Sequence, residues 1–201
     1  MSPLARYWEA ELMTIRSLYQ ETYSRIFKGL RSFVQKRDGV SSVEFALLIP
    51  FMLTLYFGAV EISNALIADR KLNKTGNAVG DLVAQSITID DQMMQDIFGA
   101  SAAIMAPFDP STLSVVVTSV VADQNNQLKV AWSDGYNMNP YSVGASYVLP
   151  PGLTTPGSSV IVAEAHYTYT SPVGEILTGG LSYKTEYFLR PRRTSAVARV
   201  R

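Results

Sequence analysis

Residues 36–62 read KRDGVSSVEFALLIPFMLTLYFGAVEI, and how this stretch is interpreted decides the rest of the chain. From Phe45 to Val60 no charged residue occurs, and the apolar character continues past Glu61 and Asn64 to Ala68. As a helix, Val43 to Ala68 is about 39 Å long at 1.5 Å per residue. A bilayer core is about 30 Å thick, so the segment can cross it with some tilt. Being apolar all round, it reads as a span more readily than as the buried helix of a soluble protein. Pro50 inside it removes one backbone bond and permits a kink, which membrane helices tolerate. The run begins too far from the N-terminus for an ordinary cleaved secretory signal. Arg25, Lys28, Arg31, Lys36 and Arg37 precede it and Arg70, Lys71 and Lys74 follow, a bias toward a cytoplasmic N-terminus.

The composition agrees. Of 201 residues, 47% are hydrophobic and 17% charged, against roughly a quarter charged in soluble domains. The net charge of +0 supplies no global field for nucleic acid. With no cysteine, disulfides, thiolate metal sites and thiol catalysis are excluded. His166 is the single histidine, with no G-x-S-x-G elbow, phosphate loop or dinucleotide fingerprint beside it. No catalytic, cofactor or metal site is expected, and His166 reads as a solvated or hydrogen-bonded strand residue. The acids near Asp90 read as helix caps, and Asn73-Lys74-Thr75 is discounted as a glycosylation site because it falls on a helix.

Glu44 is the anomaly, because a carboxylate at the head of an apolar helix is costly unless something uses it. If the chain is cut after Gly39, Val40 becomes the first mature residue and Glu44 the fifth. The new α-amino group is positive at neutral pH, and Glu44 of a neighbouring subunit can neutralise it. A glycine before the scissile bond lets extended backbone approach a protease closely. Otherwise Glu44 simply reaches the interface. With its basic leader, glycine and spacing, GVSSVEFALLIPFML (Gly39–Leu53) resembles the opening of the TadE/TadG-like family, minor pilins or pseudopilins of the tight-adherence (Flp, type IVc) pilus system. AEAHYTYTSPVGEIL (Ala163–Leu177) and the Arg190-Pro191-Arg192 motif are similar to features of that family. Val40 in place of phenylalanine, Asp38 before the glycine and a long leader depart from the best-known prepilins.

The resemblance implies a single-pass protein of the bacterial inner membrane whose C-terminal domain is periplasmic or in the pilus. It implies processing by a prepilin peptidase and partnership with other pilins and the Tad assembly machinery, without cofactors or nucleic acid. The competing reading is an uncleaved, membrane-anchored periplasmic binding module that contacts its partner through a loop over Ser133 to Ser158, which carries Tyr136, Tyr141 and Tyr147.

Three regions are expected: a cytoplasmic leader over 1–39, a transmembrane helix over 40–68 and an external α+β domain over 69–201. The leader repeats apolar residues at helical spacing, from Tyr7 to Val34, among Arg16, Arg25, Lys28 and Arg31; it reads as a basic amphipathic helix on the membrane or on a cytoplasmic partner. Met13 is an alternative start. Beyond the membrane, Leu72, Gly76, Val79, Val83 and Ile87 draw one buried helical stripe, with Gly76 and Gly80 allowing close packing. A second helix is expected over Asp90–Met105. Leu113–Ala122 reads as a central strand and DQNNQ (Asp123–Gln127) as a turn. Leu128, Val130 and Trp132 mark the buried face of a partner strand. Ile161, Ala163, Ala165, Tyr167 and Tyr169 share one strand face, with Glu164 and His166 on the polar one. Pro172–Gly180 turns the chain and Tyr183–Leu189 closes the sheet. The expected plan is one long pilin-like helix packed on a small antiparallel sheet.

Overall fold

The computed structural model describes residues 37–171 and 180–200, with backbone only for 37–40. The leader helix, the Met13 start and most of the Pro172–Gly180 turn lie outside the described residues. The chain divides into two compact units, one ending at Phe57 and the other running from Gly58 to Arg201.

The first element is α1 (Arg37–Gln85), followed by β1 (Thr88–Ile89) and α2 (Asp91–Ile104). Four longer strands follow: β2 (Ser114–Ala122), β3 (Leu128–Tyr136), β4 (Ser159–Tyr169) and β5 (Leu181–Leu189). β6 (Ala198–Arg199) ends the order. The main sheet is antiparallel in the order β3-β2-β4-β5, and β1 pairs with β6 in parallel. The α+β plan expected from sequence is the plan observed. α2 opens on Asp90, whose carboxylate accepts from the Met93 N–H at 2.8 Å and satisfies an otherwise orphaned donor.

The valine-rich β2 is central because both its faces are covered, as its sequence implies. On one face Val115 and Val117 join Leu72, Val79, Val83, Ile161, Ala163 and Ala165 in the main core. On the other, Val120 joins Leu149, Val160 and Val162. The helix lies close to the sheet because Gly76 and Gly80 carry no side chain. A Cβ at Gly80 would stand 2.4 Å from Leu189 Cδ1 and 3.2 Å from Ala163 Cβ. The stripe Leu72–Val83 is buried as expected, but Ile87 falls after the helix end and is exposed.

Three other expectations are corrected. First, β3 continues to Tyr136, so the loop expected from Ser133 begins four residues later. Second, Val130 and Trp132 do not share a face. Val120 pairs with Val130 but Ser119 with Trp132, leaving Ala131 as a bulge residue. The extra residue inverts the alternation, so Trp132 enters the helix-side core while Leu128 packs on the opposite cluster. Third, the Glu164 face of β4 is not open to solvent. Tyr147, Leu149 and Leu153 of the 137–158 segment cover it, and Glu164 is buried. The same segment runs along the outer edge of β3, with Val130 N–H donating to Ala145 C=O at 3.0 Å and Tyr147 N–H to Leu128 C=O at 3.1 Å. An edge that could pair with another chain is thus closed by the protein itself.

The C-terminal tail, which the sequence pattern left unassigned, is fastened into the domain. Trp132 Nε1 donates to Val197 C=O at 2.7 Å. The almost fully buried Arg199 guanidinium bonds Asp134 at 2.8 Å and also pairs with Asp91.

Candidate functional site

The part of the chain with an unusual surface is α1. Phe45, Leu47, Phe51, Met52, Leu55 and Tyr56 are each about half exposed or more, and nothing in the fold covers them. Leaving one such side chain in water forfeits roughly 1.5–3 kcal/mol relative to burial, and a contiguous patch of this kind marks an interaction or membrane surface. Ser41–Gln85 contains a stretch apolar enough to cross a membrane, none of it buried within the fold. Two of its hydroxyls bond their own helix: Thr54 Oγ1 donates to Pro50 C=O and Ser63 Oγ to Ala59 C=O, both at 2.8 Å.

Gly39 and Val40 are helical and lie where the described residues begin. Glu44 is exposed a turn further along, and among the described residues no cation pairs with it.

Arg190, Pro191 and Arg192 are distant in sequence from these residues and act on the other end of α1. Arg192 N–H donates to Ala84 C=O at 2.8 Å, and its guanidinium pairs with Asp81. The last turn of α1 has no basic residue of its own, so Arg192 places a cation near the negative end of the helix dipole. Arg190 Nη2 donates to Leu153 C=O at 3.0 Å, tying the end of β5 to the covering segment. Pro191 makes no contact that explains its identity.

On the far face of the sheet, the buried Glu164 accepts from Tyr147 Oη at 3.0 Å and faces Lys184 Nζ at 3.5 Å. Burial, then the Glu164 charge, pushes the Tyr147 hydroxyl well above the usual tyrosine range. Tyr141 packs edge-on against Tyr147 at 5.2 Å between centroids. This cluster fastens the covering segment, and sequence alternation alone could not show it. His166 borders it, and its Nε2 is buried with no hydrogen-bond partner among the described residues, contrary to the solvated or hydrogen-bonded residue expected from sequence. Asn73 is also occupied, its Oδ1 accepting from Thr185 Oγ1 at 2.9 Å and Tyr187 Oη at 3.2 Å. A glycan on that amide is incompatible with this packing.

Among the described residues no group of three or more His, Asp or Glu side chains is placed to hold a metal ion. An open depression lined by Leu82, Ser86, Met93, Asp96 and Ile97 is largely apolar, and its acid accepts from Gln92 at 3.0 Å.

A helix that is apolar and uncovered over its earlier part packs further along on a four-stranded antiparallel sheet, an α+β plan with one segment apolar enough to cross a membrane. Residues 39–78 match the family model described as TadE-like protein, and over that segment the chain is similar to that family. The match begins at Gly39, contains Glu44 and ends within the part of α1 that packs on the sheet. Comparison with curated proteins and with solved structures returned no match.

Proposed function

We propose that the protein is a TadE-like minor pilin or pseudopilin, a structural component of Flp-type pilus assembly and surface adherence rather than an enzyme. α1 anchors it in the bacterial inner membrane with the N-terminus cytoplasmic and the sheet domain outside. A prepilin peptidase cuts between Gly39 and Val40. Glu44 then pairs with the new amine of another pilin subunit. The observation that carries this reading is a family match opening on Gly39, with an exposed Glu44, which pairs with no cation among the described residues, on an uncovered apolar helix. Glycine before the scissile bond lets an extended backbone approach a protease closely.

The test is the N-terminus of the protein recovered from membranes of a strain that makes the pilus. A mass corresponding to a chain starting at Val40 is expected. An intact chain would overturn the pilin reading and favour a permanently anchored binding module. In the covering segment 137–158, Tyr147, Leu149 and Leu153 are spent on the sheet, which leaves Tyr141, Val143 and Val148 exposed for that alternative.

A further inference from the structure

The main sheet has two outer edges, and the chain treats them differently. The edge of β3 is closed by the 137–158 segment. β5, at the other end of the order β3-β2-β4-β5, pairs only with β4 among the described residues. A free edge presents a row of backbone donors and acceptors to any extended chain that matches it. β5 reads LSYKTEYFL (Leu181–Leu189), a sequence nearly symmetric about Thr185. Leucine stands at both ends, Tyr183 mirrors Tyr187, and Lys184 mirrors Glu186.

The register with β4 fixes which way these side chains face. Lys184 lies opposite His166 and Glu186 opposite Glu164, so both charges stand on the face away from α1. The Lys184 side chain is 57% exposed although its Nζ faces Glu164, and Glu186 is exposed. Tyr183, Thr185 and Tyr187 are half-buried on the α1 face, where Thr185 Oγ1 and Tyr187 Oη both donate to Asn73 Oδ1. Charged residues on an edge commonly deter pairing. Here they carry opposite signs two residues apart. An antiparallel copy of β5 centred on Thr185 therefore sets each Lys184 against a Glu186 and each Tyr183 against a Tyr187. Opposite-charge and aromatic cross-strand pairs are what stabilise a sheet. A parallel copy in register would instead oppose Lys to Lys and Glu to Glu.

We propose that the outer edge of β5 docks a second copy of this chain, strand against strand in antiparallel register about Thr185, so that two four-stranded sheets join into one. The occupant is a second copy because the charge pattern of the strand is its own complement. Gly76 lies against Tyr187 and Gly80 against Leu189, while Glu61 accepts from Tyr169, the cross-strand neighbour of Leu181, at 3.5 Å. From Glu61 to Gly80, α1 thus runs alongside β5 in the same direction. In the pair these helical segments are antiparallel, so it joins copies that meet from opposite directions rather than neighbours standing the same way up. All of these residues lie in the unit from Gly58 to Arg201, and the pairing depends neither on cleavage nor on pilus assembly.

Sedimentation of the full chain in detergent, over a range of concentrations, tests the pairing. The wild-type chain should form a dimer that dissociates on dilution. Glu186→Lys leaves the Lys184–Glu164 contact in place but opposes lysine to lysine, and should weaken dimerisation roughly tenfold or more. Glu186→Gln should weaken it less. Lys184→Glu should self-associate poorly too, yet an equal mixture of the two charge-reversed chains should pair as well as wild type, because positions 184 and 186 then oppose with opposite sign. If Lys184→Glu melts early, having placed an acid beside Glu164, the two Glu186 variants decide. The chain has no cysteine, so Ser182→Cys can be spin-labelled alone. Ser182 falls opposite Phe188 of the second copy, so the two labels should stand about 20 Å apart at about 3.3 Å per residue. A monomer at every concentration, a dimer indifferent to the Glu186 variants, or a clearly different label distance would overturn the proposal. So would exchange protection of consecutive β5 amides in dilute monomer, since an edge covered by its own chain leaves nothing to dock.

Discussion

Replacing Gly80 by alanine tests whether α1 approaches the sheet as closely as described. In an open helix the change is favourable by roughly 0.5–1 kcal/mol, because glycine loses more backbone freedom on folding. At Gly80 the new methyl would meet Leu189 Cδ1 at 2.4 Å and Ala163 Cβ at 3.2 Å. Leu189 can rotate away, but Ala163 is fixed to the backbone of interior strand β4. Overpacking of this kind typically costs 1–3 kcal/mol. The balance is a loss of about 1 kcal/mol, or a fall in Tm of about 2–4 °C for a domain of this size. Gly99, in α2, is the control because nothing lies within 4 Å of its added Cβ. Gly99→Ala should therefore raise Tm by a degree or more. Thermal melts of the full chain in one detergent, followed by circular dichroism, compare the two. Leu189→Ala in the Gly80→Ala background should recover part of the clash term, and a double-mutant cycle measures how much. If Gly80→Ala were stabilising like Gly99→Ala, the close approach of helix and sheet would be refuted.

Glu44→Ala should leave insertion and cleavage largely intact but abolish pilus assembly, since removing one partner of a buried ion pair costs about 3–5 kcal/mol; normal pili would return Glu44 to an interface role. A bulky residue at Gly39 should make the full-length chain accumulate in membranes, which an immunoblot of membrane fractions would show. Tyr147 has a raised pKa in the fold, so its protonated form is favoured there. That contribution is complete below the ordinary tyrosine value of 10.0 and is lost as pH rises above it, so Tyr147→Phe should flatten the decline in Tm above pH 10. Arg199→Met should destabilise the domain by about 3 kcal/mol, because it strands the partly buried Asp134. Hydrogen exchange should then quicken first in β6, and unchanged exchange there would count against the clamp.

The elements that sequence periodicity revealed were those governed by local chemistry. The uncovered part of α1 declares itself because Phe45 to Val60 forms a long run without a charge. The start of α2 follows from Asp90, whose carboxylate serves a donor three residues away. β2 reads as central because valines on both faces need cover on both faces. The roles proposed for Gly39, Val40 and Glu44 rest on spacing along the chain alone.

What the sequence could not supply were relations between distant residues. Ala131 looks like any alternating strand residue, and only the partner register makes it a bulge that sends Trp132 into the main core. Glu164 reads as solvent-facing until Tyr147 and Leu149 fold over it, turning an apparently free carboxylate into a buried acceptor. Arg192 and Arg199 carry no periodic signal, yet one caps α1 and the other joins Asp91 to Asp134. Glu61 and Tyr169 stand 108 positions apart, and only packing brings hydroxyl to carboxylate. Periodicity records which side of an element avoids water. It does not record what covers that side, because the covering group belongs to another stretch of chain, and its arrival is decided by the fold as a whole.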